Sequence, residues 1–278
     1  MNKLIKTTRL IAIVVLCLSG YSYCFAQKAE VKLFAHRGGM AETDENTISA
    51  FETTYNRGLR GYETDIRITK DGHLVIFHDD SFDRMLGIKG SIETLTLKEI
   101  KKLKTKKGNP IPTLDEFLTF FKDKDGVYIE FEMKTNKPLY DETTLEKYCD
   151  MLYTKAYAAK PANSDYVLTS FDPRPLKYLK QKYPNVDLLL IKSEALSQKV
   201  LDEAKGLGVT RVGCRAEKTT RSMVTEAKKQ GFTVSLWPGH SVEDFFLGVA
   251  LGSDYLCSDV PYEVTERVRN SAPWITLK

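Results

Sequence analysis

Between Glu63 and Asp79 the chain carries Glu63-Thr64-Asp65 on one alternating stretch, a turn at Lys70-Asp71-Gly72, and a second alternating stretch that ends at His78. Side chains two apart on a strand share a face, so Glu63 and Asp65 point the same way. Folding this arm about its turn sets His78 opposite Asp65, and facing residues of an antiparallel pair approach within about 5 Å. Two carboxylates and an imidazole at one point suit a metal site with an acid or base beside it. That chemistry serves hydrolysis.

Such a cluster needs a scaffold, and the rest of the chain supplies one. Apolar, β-branched-rich segments predict strands at Val31 to His36, Gly61 to Ile66, Val127 to Met133, Tyr166 to Ser170, Val186 to Ile191, Thr210 to Cys214, Phe232 to Trp237 and Asp254 to Cys257. Several are nearly continuous hydrophobic runs, as expected of strands covered on both faces. Amphipathic segments separate them: Ile48, Phe51 and Tyr55 lie at helical spacing behind the capping candidate Asn46, with Gly58 as the stop. Leu114, Phe117, Leu118 and Phe121 follow Thr113, and Gly231 and Gly252 end helices just before a strand.

Strand then helix, repeated eight times, predicts a closed parallel α/β architecture, the (β/α)8 TIM barrel. The 66–79 arm breaks this rhythm, because so tight a turn joins only antiparallel strands. It is therefore expected to rise above the second strand, followed by a small insertion over about residues 80–112, basic and helix-prone at 91–107, between the second and third barrel strands. Barrel active sites gather at the C-terminal ends of the strands. His36-Arg37-Gly38-Gly39, Glu63 and Asp65, Glu132-Met133-Lys134, Ser170-Phe171, Trp237 and Ser258-Asp259 all fall there.

The first 26 residues read as a separate element. Lys3, Lys6 and Arg9 precede the apolar run Leu10 to Leu18, and Cys24-Phe25-Ala26 precedes Gln27, the order of a signal peptide cut after Ala26. The run is far shorter than the roughly 20 apolar residues of a membrane span. The expectation is an exported protein, periplasmic or secreted, with one catalytic domain over residues 27–278. Three of the 41 basic residues and none of the 37 acidic ones lie in the leader, which leaves 38 against 37. Nothing in that balance argues for a nucleic-acid partner or an anionic membrane surface. Cys149, Cys214 and Cys257 remain, an odd number, so at most one internal disulfide can form.

On the predicted rim, Glu63, Asp65 and Glu132 are three oxygen donors from neighbouring strands, suited to a hard divalent cation such as Mg²⁺ or Ca²⁺. Like charges packed together need a cation to offset their repulsion, although pairing with Arg37 and Lys134 is the structural alternative. Arg37 and Lys134 suit clamping a phosphate. Gly38 and Gly39 would let the backbone approach a ligand closely. His36 and His78 flank the acids, one able to take a proton from an attacking oxygen and the other to give one to a leaving oxygen.

The joint pattern His36-Arg37-Gly38, Glu45-Asn46-Thr47, Phe51, Gly61, Glu63-x-Asp65, Thr69-x-Asp71-Gly72, His78-Asp79, Arg84, Pro112-Thr113-Leu114, Glu132-x-Lys134, Ser170-Phe171, Trp237 and Asp259-x-Pro261 resembles the glycerophosphodiester phosphodiesterases. The resemblance spans nearly the whole chain after the leader. It implies a phosphodiesterase barrel that releases sn-glycerol 3-phosphate and an alcohol from a small glycerophosphodiester. His36 and His78 would be its acid and base, Glu63, Asp65 and Glu132 its metal ligands, and Arg37 and Lys134 its phosphate contacts. Trp237 is expected to wall the leaving alcohol, with ordinary core packing as the structural alternative. Two positions depart from the pattern. Glu130 stands where an amide is common, and would either add negative charge under the metal or pair with Lys134. Pro238-Gly239-His240 replaces a threonine and an asparagine; His240 reads as a solvated loop residue, with substrate contact as the alternative, and His73 as a surface one. The rival readings are a phospholipase D-like enzyme of the sphingomyelinase type, which would act on micellar lipid, and a phosphodiester-binding protein without turnover.

Overall fold

A computed structural model describes residues 28–278. The expected leader lies outside them. Eight parallel strands close into a barrel: β1 (Ala29–Ala35), β2 (Gly61–Ile68), β4 (Tyr128–Met133), β5 (Asp165–Ser170), β6 (Leu188–Ala195), β7 (Arg211–Arg215), β8 (Thr233–Trp237) and β9 (Tyr255–Ser258). Neighbours pair in the order β1-β9-β8-β7-β6-β5-β4-β2, and β2 returns to β1 through Ala35 and Tyr62. Gly61 makes that closure possible, because a Cβ there would sit 2.4 Å from the Leu33 carbonyl oxygen. Each barrel strand is followed by a helix: α1 (Ile48–Asn56), α4 (Leu114–Phe121), α5 (Glu142–Ala159), α6 (Pro173–Lys182), α7 (Gln198–Gly206), α8 (Arg221–Lys229), α9 (Val242–Leu251) and α10 (Pro261–Ser271). This is the (β/α)8 TIM barrel.

Two strands lie outside the barrel. β3 (Leu74–Ile76) runs antiparallel to β2, and β10 (Ile275–Leu277) extends the sheet beside the start of β1, a pairing that three residues at the chain end did not announce. The insertion carries only two short helices, α2 (Asp83–Leu86) and α3 (Leu97–Ile100), and a single 3-10 turn at Ile92–Thr94. It has its own apolar centre of Val75, Phe77, Phe82, Ile92, Ile100 and Ile111. Asp44 fastens it to the loop after β1, accepting from Thr105 Oγ1 at 2.5 Å and Asn109 Nδ2 at 2.7 Å.

Alternation along the strands sorts two cores. On β4, Ile129, Phe131 and Met133 face the helices while Tyr128, Glu130 and Glu132 face the barrel interior. Outside the barrel, Phe51 of α1 packs edge-on to Phe117 of α4 at 4.8 Å, and Phe117 meets Phe121 at 4.8 Å. Truncating a buried phenylalanine such as Phe117 to alanine costs about 3–5 kcal/mol. Phe34, Tyr128, Val167 and Leu189 pack together in the barrel interior, and the cavity that remains is lined by residues at the C-terminal ends of the strands.

Helix caps follow the sequence with one correction. Thr113 and Glu116 form a reciprocal cap on α4, and Gly252 ends α9. α1 is capped by Thr47, whose side chain accepts from Ala50 N, and not by Asn46. Asn46 is drawn away because its amide is engaged elsewhere, in the site itself. Cys149, Cys214 and Cys257 are free thiols. Among the described residues no helix is long and apolar enough to cross a membrane.

Candidate active site

The strand ends converge on a cavity of about 220 Å³ lined by His36, Arg37, Glu63, His78, Glu132, Lys134 and Trp237, with Asp65 buried behind it. The eight side chains expected to serve as acid–base, metal or substrate groups therefore meet at one place. β2 delivers Glu63 and Asp65 on one face, and the in-register pairing of Asp65 with Glu132 sets the third acid beside them. One oxygen from each of the three lies within 4.8 Å of the others.

Their electrostatics are lopsided. At that spacing two carboxylates repel by about 3–4 kcal/mol for an effective dielectric near 20. Lys134 Nζ offsets part of this, at 2.6 Å from Glu132 and 3.2 Å from Asp65, and Arg37 Nε lies 3.6 Å from Asp65. Asn46 Nδ2 donates to Asp65 Oδ2 at 2.8 Å while its own oxygen accepts from Thr64 Oγ1. Burial alone would raise Asp65, but Lys134, His78 and Arg37 outweigh it and hold the group well below the usual carboxylate range. Glu63 goes the other way: burial, then Asp65 and Glu132, push it well above its ordinary value. Its Oε2 accepts from the Arg37 backbone N–H at 2.9 Å, yet its Oε1 is buried without a hydrogen-bond partner. Oxygen ligands 2.3–2.6 Å from a Ca²⁺ ion stand up to about 5 Å apart, so three acids at this spacing with an orphaned oxygen fit a hard dication.

The expected pairing of Asp65 with His78 across the β2–β3 arm does not occur. The register joins Ile66 to Ile76, and Phe77 N donates to the Asp65 carbonyl at 3.0 Å, so Phe77 stands opposite Asp65. β3 stops at Ile76 and the chain bends, and it is this bend that carries His78 to the cavity. Arg67 holds it there, donating from Nε and Nη2 to the His78 carbonyl at 3.1 and 2.6 Å while pairing with Glu93 and Asp80 of the insertion.

Both rim histidines have a carboxylate on Nδ1: Asp79 for His78 at 2.8 Å, and Asp259 for His36 at 2.6 Å. A carboxylate on Nδ1 favours the tautomer that carries the proton there and leaves Nε2 without that partner. His36 Nε2 lies 3.9 Å from Glu63 Oε2. Asp259 is shared, its second oxygen meeting His240 Nδ1 at 2.5 Å. His240 is two-thirds exposed but bonded and at the cavity mouth, so it is more than a solvated loop residue. His73 stays at the surface.

The arginine that follows β1 is strained into place. Arg37 has φ 52°, a left-handed conformation uncommon outside glycine, held by its N–H on Glu63 and by its carbonyl accepting from Asn46 N at 2.8 Å. Gly38 and Gly39 do not line the cavity. They turn the chain at φ 80° and 94° and pack on Phe51 of α1 and Pro261 of α10, which is the reason for their small size. Arg37 Nη1 donates to Glu45 Oε1 at 3.0 Å, and Glu45 is gripped in turn by Arg84 of the insertion, whose two terminal nitrogens reach it at 2.6 Å. Arg84 also donates to Asp79 at 2.7 and 2.9 Å. One side chain of α2 thus braces the supports of both Arg37 and His78.

Glu130 lies a layer below Glu132 and does not pair with Lys134. It accepts from the Tyr128 hydroxyl, and burial raises its carboxyl to about 7 against the opposing effects of Tyr128 and Arg211. The supporting roles of Asp79, Asp259, Asn46, Glu45 and Arg84 were not assigned from sequence. His78-Asp79 adjacency was the one local signal; the others join residues up to 223 positions apart.

Residues 36–263 match the model of the glycerophosphoryl diester phosphodiesterase family. The chain belongs to that family. It is thereby an enzyme of the phosphoric diester hydrolase class. A glycerophosphodiester phosphodiesterase of Caldanaerobacter subterraneus subsp. tengcongensis is 30% identical over 248 residues, which cover 85% of this chain and 97% of that one. A crystallised family member from Parabacteroides distasonis superposes with a TM-score of 0.73 at 25% identity, over 88% of this chain and 99% of the other. An Oleispira antarctica phosphodiesterase, solved with its product sn-glycerol-3-phosphate, superposes with a TM-score of 0.77 at 22% identity, over 86% and 97%.

Proposed function

We propose that the protein hydrolyses small glycerophosphodiesters to sn-glycerol 3-phosphate and an alcohol, using a divalent cation on Glu63, Asp65 and Glu132 and His36 with His78 as the acid–base pair. The observation that carries this reading is the pairing of the two histidines: each has Nδ1 on its own carboxylate, and both border the cavity that holds the three acids. Arg37 and Lys134 are the fixed positive charges at the same cavity, suited to holding the phosphoryl oxygens as charge builds on them. When bound, the cation supplies Lewis-acid polarisation of a phosphoryl oxygen. One imidazole accepts the proton of the attacking hydroxyl while the other donates to the oxygen of the departing alcohol, so the P–O bond breaks without free alkoxide. Trp237 and Phe171, edge-on at 5.6 Å, wall the space beyond the acids where an alcohol would sit.

Release of glycerol 3-phosphate from a panel of glycerophosphodiesters, assayed with chelator and then with Mg²⁺ or Ca²⁺ restored, tests this reading. Turnover should vanish with chelator, return with one of the cations, and fall by about 10²–10⁴ in H36A and in H78A. Full activity in chelator, or in either histidine variant, refutes it. The reading extends to export, supported by the basic, apolar and small-residue order of residues 1–26. Intact mass of the secreted or periplasmic protein should correspond to a chain starting at Gln27.

A further inference from the structure

We infer that Arg215 selects substrates whose departing alcohol carries an anionic group, a carboxylate or a phosphate monoester; the inference rests on the phosphodiesterase reading above. Arg215 ends β7, and the in-register pairing of Arg215 with Trp237 of β8 sets its guanidinium 5.1 Å above the centre of the indole ring. Both side chains line the cavity on the side away from the three acids.

Three observations point to a ligand of negative charge. First, among the described residues no carboxylate pairs with the Arg215 guanidinium. The other cations of the cavity, Arg37 and Lys134, each have a carboxylate partner and stand beside the three acids, where the phosphoryl group would lie. Second, the position is rigid. Thr219 Oγ1 donates to the Arg215 carbonyl at 2.6 Å and Ala216 N donates to the Trp237 carbonyl at 2.9 Å, which fixes the backbone at this strand end, while the guanidinium itself is held by its stacking on Trp237. Third, space is left beside it. Gly213 precedes Arg215 on the same face of β7, and a Cβ there would crowd Leu189 Cδ2 at 3.1 Å. A side chain at 213 would fill the hollow in which the alcohol would lie.

The same stacking argues against a cationic alcohol. The face of an indole is where a quaternary ammonium group is attracted. Here that face already carries a guanidinium, so a choline-like group would meet like charge. An anion meets a preplaced planar donor on a wall made of Phe171, Ile191 and Trp237, where water screens poorly.

Matched substrates isolate the effect. Glycerophosphoserine differs from glycerophosphoethanolamine by one carboxylate, and glycerophosphoinositol 4-phosphate differs from glycerophosphoinositol by one phosphate. The anionic member of at least one pair should have the higher kcat/KM by tenfold or more, about 1.4 kcal/mol. The pair that shows it identifies the anion. R215Q should bring that ratio to near one and R215K should keep part of it, with thermal melting as the check that each variant folds. Equal kcat/KM within both pairs for the parent enzyme, or a ratio that survives R215Q, overturns the inference while leaving the phosphodiesterase reading intact. Lack of turnover on every diester would overturn both.

Discussion

Replacing Arg84 by methionine keeps the aliphatic stem and removes four charge-assisted hydrogen bonds at 2.6–2.9 Å, two to Glu45 and two to Asp79. The two halves of the clamp differ in weight. Glu45 is almost wholly buried and would keep Arg37 on Oε1 while Oε2 lost its only partner, and a buried charged oxygen left unpaired costs about 1–3 kcal/mol. The Asp79 half is more exposed and is worth at most about 1 kcal/mol. R84M should therefore unfold about 1–4 kcal/mol more easily, and with roughly 2–4 °C per kcal/mol for a domain of this size its melting temperature should drop by about 2–16 °C. The pH dependence has a definite sign. Burial would raise Glu45, but Arg84 and Arg37 outweigh it and lower its folded value, so its contribution is full above the unfolded carboxyl range and is lost as pH falls through the folded value. The gap between parent and variant should accordingly be widest near neutrality and shrink below about pH 4. Catalysis should suffer as well, because Asp79 orients His78: kcat should fall about 10- to 100-fold. Lysine at 84 should restore stability only in part, having no planar fork for two oxygens. Calorimetry at pH 7 and at about pH 3 together with steady-state kinetics decides the matter. If R84M melts with the parent and turns over at the parental rate, the insertion does not brace the site.

The buried acids give two more expectations. Because burial raises Glu130 to about 7, the folded protein holds a proton that the unfolded chain releases above about pH 4.3, so this group destabilises the fold increasingly as pH rises through that window. E130Q should melt at a higher temperature than the parent at pH 8 and differ much less at pH 5; a difference of about 4 kcal/mol is the ceiling, and an equal shift at both pH values would show that Glu130 is ionised throughout. Burial would raise Asp259 too, but its bonds to His36 and His240 lower it. D259N should reduce kcat by about 10- to 100-fold with little change in KM, since the asparagine still fills the space but no longer holds the imidazole of His36 in its working tautomer; unchanged kcat would show that Asp259 does not position His36 for the chemistry.

The amino-acid order alone determined the barrel and the faces of its strands, because a period of two along a strand is a local property. Glu63 with Asp65, and Glu130 with Glu132, point inward for that reason, and the C-terminal strand ends gathered His36, Lys134 and Trp237 without any knowledge of contacts. Tertiary structure decided everything that depends on which distant group arrives at hydrogen-bond distance. The register of the β2–β3 arm moved Phe77, and not His78, opposite Asp65. Asp259 was divided between His36 and His240, Glu45 between Arg37 and Arg84, and Glu130 was given to Tyr128 rather than Lys134. Asn46 reads as a helix cap in a one-dimensional view, and lost that role only because a buried carboxylate on another strand offered its amide a better partner. Periodicity assigns a side chain to a face. The partner it finds there is set by strand register and by the packing of segments up to 223 residues apart, which no local pattern encodes.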